Sequence, residues 1–77
     1  MAALNIARQQ ARKQGINITD KKEISGYRVS DDVMTDSVLT ELFYFDWGCR
    51  EWVMYDFEYF DSYDEARESG KALNKGN

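Results

Sequence analysis

FYFDWGCREWVMYDFEYFDSY, residues 43–63, carries ten of the eleven aromatic side chains in this 77-residue chain, with acids threaded between them. Aromatic and β-branched residues favour strands, and the segment divides at Asp46-Trp47-Gly48-Cys49, where aspartate and glycine mark a turn. The reading is a β-hairpin, with one strand over Val38 to Phe45 and the next over Glu51 to Phe60. With Gly48 and Cys49 at the centre of a two- or four-residue loop, Tyr44 faces Val53, Leu42 faces Tyr55, Thr40 faces Phe57 and Val38 faces Tyr59. That face is apolar almost throughout and is the expected core surface. The other face pairs Phe45 with Trp52, Phe43 with Met54, Glu41 with Asp56 and Leu39 with Glu58. A slip of one residue would mix the two faces, which is the physical ground for the even loop.

Outward from the hairpin, Ile24 to Val29 alternates weakly around Gly26 and reads as a first strand with a bulge at the glycine. Ser30 to Asp36 is a loop, and Asp20-Lys21-Lys22-Glu23 a polar turn. Residues 2–14 have helical spacing. Leu4, Ala7 and Ala11 share a face, Arg8 and Arg12 form a basic ridge with Lys13 beside it, and Gly15 stands where a helix-ending glycine belongs. Downstream, Ser62 and Glu65 form a capping box, so a second helix runs from Tyr63 to about Leu73, weakened by Gly70. The order α-β-β-β-α predicts an α+β fold: a three-stranded antiparallel meander flanked by an N-terminal and a C-terminal helix. Residues 1–77 make one small domain, with 74–77 frayed.

Charge is segregated along the chain. Residues 1–30 hold six basic and two acidic side chains, residues 31–68 two basic and twelve acidic, and the net charge is −4. Such a polarised chain points to charged partners and says nothing about fold. A lone Cys49 cannot form an internal disulfide. The N-terminal stretch has no apolar core of signal-peptide length, and no apolar run reaches the roughly 20 residues of a membrane span. A cytoplasmic protein without membrane contact is the expectation.

Several chemistries are disfavoured by what is missing. There is no histidine, hence no imidazole base or metal ligand, and nothing to activate Cys49 beyond the modest pull of Arg50. The acid-rich segments do not match a calcium-binding loop, and there is no phosphate-binding glycine loop. The expectation is a non-enzyme with no cofactor and no metal.

What remains is binding. Glu41 directly across from Asp56, with Glu58 two residues on, would set like charges together, which a small sheet tolerates when the site is well solvated or when a cation visits. Glu41, Asp56, Glu58 and Asp61, with Asp46 and Glu51 at the hairpin end, would present an acidic array to a basic surface. Phe43, Phe45 and Trp52 beside it would serve as anchors. Whether those aromatics and Met54 are open or lie beneath the N-terminal helix is left undecided by the residues. In size, acidity and lack of catalytic side chains the chain resembles small inhibitors made by bacteriophages and other mobile elements, anti-CRISPR and anti-restriction proteins among them. The likeness is one of character, with no shared motif. It implies a nucleic-acid mimic that occupies a basic, nucleic-acid-binding surface of a host protein. The alternatives are a homodimer burying Phe43, Phe45 and Trp52, and a single-strand nucleic-acid binder that stacks bases on the aromatic sheet. The last is opposed by the acids on the same sheet.

Overall fold

The computed structural model describes residues 2–75, with side chains for 4–72. Its elements are α1 (Ala2–Gln14), β1 (Asn17–Asp20), β2 (Ser25–Asp32), β3 (Ser37–Asp46), β4 (Glu51–Phe60) and α2 (Tyr63–Lys75). The α+β class stands, but the sheet has four strands and not three, in the order β1-β2-β3-β4, each antiparallel to its neighbour. The added strand is the four-residue β1, which pairs Asn17 with Tyr27 and Ile18 with Gly26. The bulge expected at Gly26 falls across from it, on β1, where the register shifts between Ile18 and Asp20. Helix α2 runs to Lys75, past the frayed end expected from residue 74, and residues 76 and 77 lie outside the described residues.

The two helices cover opposite faces of the sheet, because neighbouring strand residues point to opposite sides. Phe43 and Phe45 look towards α1, where they pack with Ala7, Ala11, Ile16, Ile24 and Trp52 in one buried cluster. Alanine at positions 7 and 11 lets the helix lie close, and the Trp52 indole N–H donates to the Ala7 carbonyl at 2.9 Å, fixing α1 over the hairpin. Gly15, at φ 75°, ends α1 in the left-handed conformation its position in the sequence predicts. Val38, Thr40 and Leu42, on the other parity of β3, are buried beneath α2 with Tyr27 and Ala66. The Thr40 hydroxyl donates to the Ala66 carbonyl at 2.6 Å. Gly70 meets Tyr27 so closely that a Cβ there would lie 2.5 Å from Cδ2 and 2.6 Å from Cγ of the ring. The residue that weakens the helix is therefore what lets it dock. Half of the expected capping box is present: the Glu65 amide donates to Ser62 Oγ at 3.3 Å, while the Glu65 carboxylate accepts from the Ser62 hydroxyl at 3.4 Å.

The hairpin loop is the four-residue alternative, closed by the Arg50 amide donating to the Asp46 carbonyl at 2.6 Å. The expected register holds from there to Phe43–Met54. It then shifts by one residue, so that Leu42 faces Asp56, Glu41 faces Phe57, Thr40 faces Glu58, Leu39 faces Tyr59 and Val38 faces Phe60. Tyr55 is the extra residue. Its ring lies 5.9 Å from that of Tyr44, on the α2 side, so Tyr55 and Asp56 share one face as consecutive residues do at a bulge. Every β4 side chain beyond that point sits on the face opposite to the one the unbroken register assigns.

Candidate functional site

The bulge dismantles the acidic array expected from sequence. Glu41 stays on the α1 face, with Phe57 and not Asp56 across from it, and β2 supplies its counter-charge. Arg28 Nε donates to Glu41 Oε1 at 2.8 Å, Arg28 Nη2 to Oε2 at 3.2 Å, and the Ser30 hydroxyl to Oε1 at 2.6 Å. The guanidinium also lies 5.0 Å from the centre of the Phe43 ring. Burial alone would push the Glu41 carboxyl up, but the bonds from Arg28 and Ser30 and the charge of Arg28 outweigh it and hold the group below its ordinary range. Glu41 is thus a structural carboxylate, and the repulsion expected between it and Asp56 does not arise.

Asp46 is similarly engaged, its Oδ1 accepting the amides of Gly48 at 2.9 Å and Cys49 at 3.4 Å within the hairpin loop. Glu51 pairs across from it in the ladder. The Cys49 thiol is pushed up, first by the charge of Asp46, then by burial, an Asp46 hydrogen bond and the charge of Glu51, against the lowering expected from Arg50. Phe43, Phe45 and Trp52, expected as anchors, are buried under α1. Their place is in the core, and this resolves the open question about that face. Met54 alone of the four is exposed, at 44%.

The acids that remain available are Asp56 and Glu58 on the α2 face of β4, and Asp61 at the corner before α2, all exposed. Among the described residues none of the three forms an ion pair. Asp56 and Glu58 flank a groove of about 250 Å³ beside α2, floored by Leu42 and Thr40. On the other face of the same strand, Phe57 and Tyr59 stand 50% and 49% exposed, edge to face with ring centres 5.8 Å apart. With Met54 they form an apolar stripe beyond the end of α1's cover. The Tyr59 hydroxyl donates to Asp32 Oδ2 at 3.0 Å, reaching across β3 and drawing the Asp32 carboxyl below its ordinary value. Parity is what hid these residues: in the unbroken register Phe57 and Tyr59 are core and Asp56 lies beside Glu41.

β4 is also an edge strand, with β3 on one side and, among the described residues, no strand on the other. The Phe57 amide donates to the Asp56 carboxylate at 2.8 Å, the bond of an amide turned to the open side of the strand. In an antiparallel ladder the amide two residues on, that of Tyr59, points the same way. A ten-residue edge therefore offers main-chain hydrogen-bonding groups, acids on one face and aromatics on the other.

The charge split of the sequence becomes a split between faces. Arg8, Arg12 and Lys13 are exposed on α1, while Asp56, Glu58 and the exposed Asp64, Glu65 and Glu68 of α2 lie on the opposite side of the sheet. A second, wide-open depression of about 460 Å³ lies between α1 and β1, with Arg8 and Arg12 at its rim and Ile16 and Ile18 among its walls. Among the described residues no three acidic or cysteine side chains are grouped to hold a metal ion, and no helix is long and apolar enough to cross a membrane. No family model, curated protein or solved structure matches the chain.

Proposed function

We propose that this protein is a small non-catalytic binding module that uses β4 and the acidic corner after it to hold a basic surface of another protein. The observation that carries this reading is the pairing, on one exposed edge strand, of Asp56 and Glu58, which form no ion pair among the described residues, with the half-exposed Met54, Phe57 and Tyr59. Exposed aromatics give rigid contact area at little entropic cost, and nearby acids steer and orient a cationic partner. The finer proposal is an inhibitor: a basic surface that accepts carboxylates at strand spacing is suited to phosphates, so occupation of it would displace nucleic acid. An inhibitor of the anti-CRISPR or anti-restriction kind would act in this way.

The test is affinity capture from a nuclease-treated bacterial lysate with wild type and with the Asp56→Lys/Glu58→Lys variant, followed by nucleic-acid competition on whatever is held. Capture of a nucleic-acid-handling protein by wild type alone, with loss of that protein's nucleic-acid binding at stoichiometric inhibitor, is the expected result. Equal capture by both forms would remove the acids from the account. A homo-oligomer is the other reading, favoured by the half-exposed aromatics of β4 and not by Phe43, Phe45 or Trp52, which α1 already covers. A sedimentation mass that rises with concentration and falls on Phe57→Asp would put it first.

A further inference from the structure

We infer that the partner engages β4 by strand addition, as an extended segment in which basic side chains alternate with apolar ones. This deepens the proposed binding function and rests on it. The free edge of β4 provides the outward-pointing amides of Phe57 and Tyr59 described above, and strand addition gives every such group a main-chain partner. Residues directly across an antiparallel pair bring their Cβ atoms to about 5 Å, so each face of β4 dictates the matching face of the incoming strand. On the α2 side those residues are Asp56 and Glu58. The groove between them, floored by Leu42, suits the aliphatic stem of a lysine or arginine whose charged end lies between the two carboxylates. On the α1 side Phe57 and Tyr59 call for apolar or aromatic neighbours. Strand alternation separates the acids and the aromatics of residues 56–59, and the bulge at Tyr55 decides which face each set takes, the acids the α2 side and the rings the α1 side.

A second copy of this chain is the wrong occupant on the same geometry. Pairing β4 with itself about a two-fold axis keeps residues of equal parity opposite one another. Its central registers then set Asp56 against Glu58, Asp56 against Asp56 or Glu58 against Glu58, each a like-charge pair at the shortest cross-strand distance. Asp56 also covers the Phe57 amide in the free protein, which guards the edge until a cation draws the carboxylate away.

The experiment uses the full chain and four synthetic nine-residue peptides. One alternates Lys or Arg with Val or Phe, and one has the same residues in an order that breaks the alternation. Two more carry the alternating sequence with backbone N-methyl groups on either the odd or the even amides. Binding is read by fluorescence anisotropy, and hydrogen exchange follows individual amides. Strand addition predicts that the alternating peptide binds about tenfold or more tightly than the reordered one, and that one N-methyl set abolishes binding while the other leaves it. It also predicts slowed exchange at Phe57 and Tyr59. Equal binding of all four overturns strand addition and leaves charge-driven binding standing. Binding of none overturns it too, and capture by wild type against Asp56→Lys/Glu58→Lys then decides the broader reading on its own.

Discussion

Gly70→Ala is the substitution on which two opposing effects can be weighed from the structure. Within a helix, alanine is favoured over glycine by about 1 kcal/mol, so α2 taken alone gains from the change. Against the sheet it loses. The new Cβ would lie 2.5 Å from Cδ2, 2.6 Å from Cγ and 3.1 Å from Cβ of Tyr27, where carbon atoms ordinarily stay about 3.5 Å or more apart. The crowded atoms lie at the root of a buried ring, where a rotamer change gives little room, so α2 must lift. Overpacking of this kind costs about 1–3 kcal/mol. Ala66, one turn earlier, would move with it and stretch the Thr40 hydrogen bond, at a further cost of about 1 kcal/mol. The net expectation is destabilisation by about 2 kcal/mol, or roughly 10 °C in Tm for a domain of this size. Urea and thermal unfolding followed by tryptophan fluorescence measure it. Repeating Gly70→Ala in a Tyr27→Ala background, with sucrose to keep both forms folded, should reverse its sign, because only the helical preference then remains. A neutral or stabilised Gly70→Ala in the native background would refute the argument that close approach to Tyr27 decides how α2 docks.

Thr40→Val keeps shape and burial but removes the hydroxyl bonded to Ala66; a loss of about 1 kcal/mol with an unchanged urea m-value is expected. The Glu41 carboxyl is held below its ordinary 4.5, so the unfolded chain takes up its proton first as the pH falls. Its stabilisation is therefore complete above pH 4.5 and lost as the pH drops through the lowered native value, and Glu41→Gln should flatten the acid limb of a urea-midpoint profile between pH 6 and 3. The Cys49 thiol, raised above its ordinary 9.0 by Asp46 and its neighbours, should react more slowly with iodoacetamide at pH 8 than cysteine in a neutral peptide, and Asp46→Asn should speed it.

The parts of this fold legible in the sequence are those fixed by residues close together in the chain. Gly15, the Ser62–Glu65 cap and the Asp46–Cys49 turn each satisfy a local hydrogen-bonding or dihedral requirement, and each appears where expected. Strand β1 was not legible because its four residues, Asn-Ile-Thr-Asp, carry too short an alternation to read. It exists because Ile16 and Ile18 close the edge of the α1 core. The bulge at Tyr55 was illegible for a different reason. From Met54 to Phe60 both parities of β4 are largely exposed, so no buried face pins the register. The hairpin read alone also misses the counter-charge of Glu41, which comes from Arg28 and Ser30 on β2. The same omission put Phe43, Phe45 and Trp52 on the candidate interface, since their cover comes from a helix some thirty to fifty residues away in the chain.

The bulge also bears on why so much aromatic surface is left in water. Without it, Asp56 would sit across from Glu41 and compete for Arg28, while Phe57 and Tyr59 would turn to the α2 side beside Thr40 and Val38. One extra residue moves both acids away from Glu41, and the same step turns two aromatic rings out over an open part of the sheet. A domain of this size has little apolar surface to spare, at about 25 cal/mol for each Å² withheld from the core. Folding alone therefore gives no reason to hold Phe57 and Tyr59 half in solvent, on the unpaired edge, back to back with two carboxylates that form no ion pair among the described residues. A partner strand that covers the rings, neutralises the acids and pairs the outward amides satisfies all three conditions at one edge, and a partner touching only one face of β4 satisfies no more than part of them.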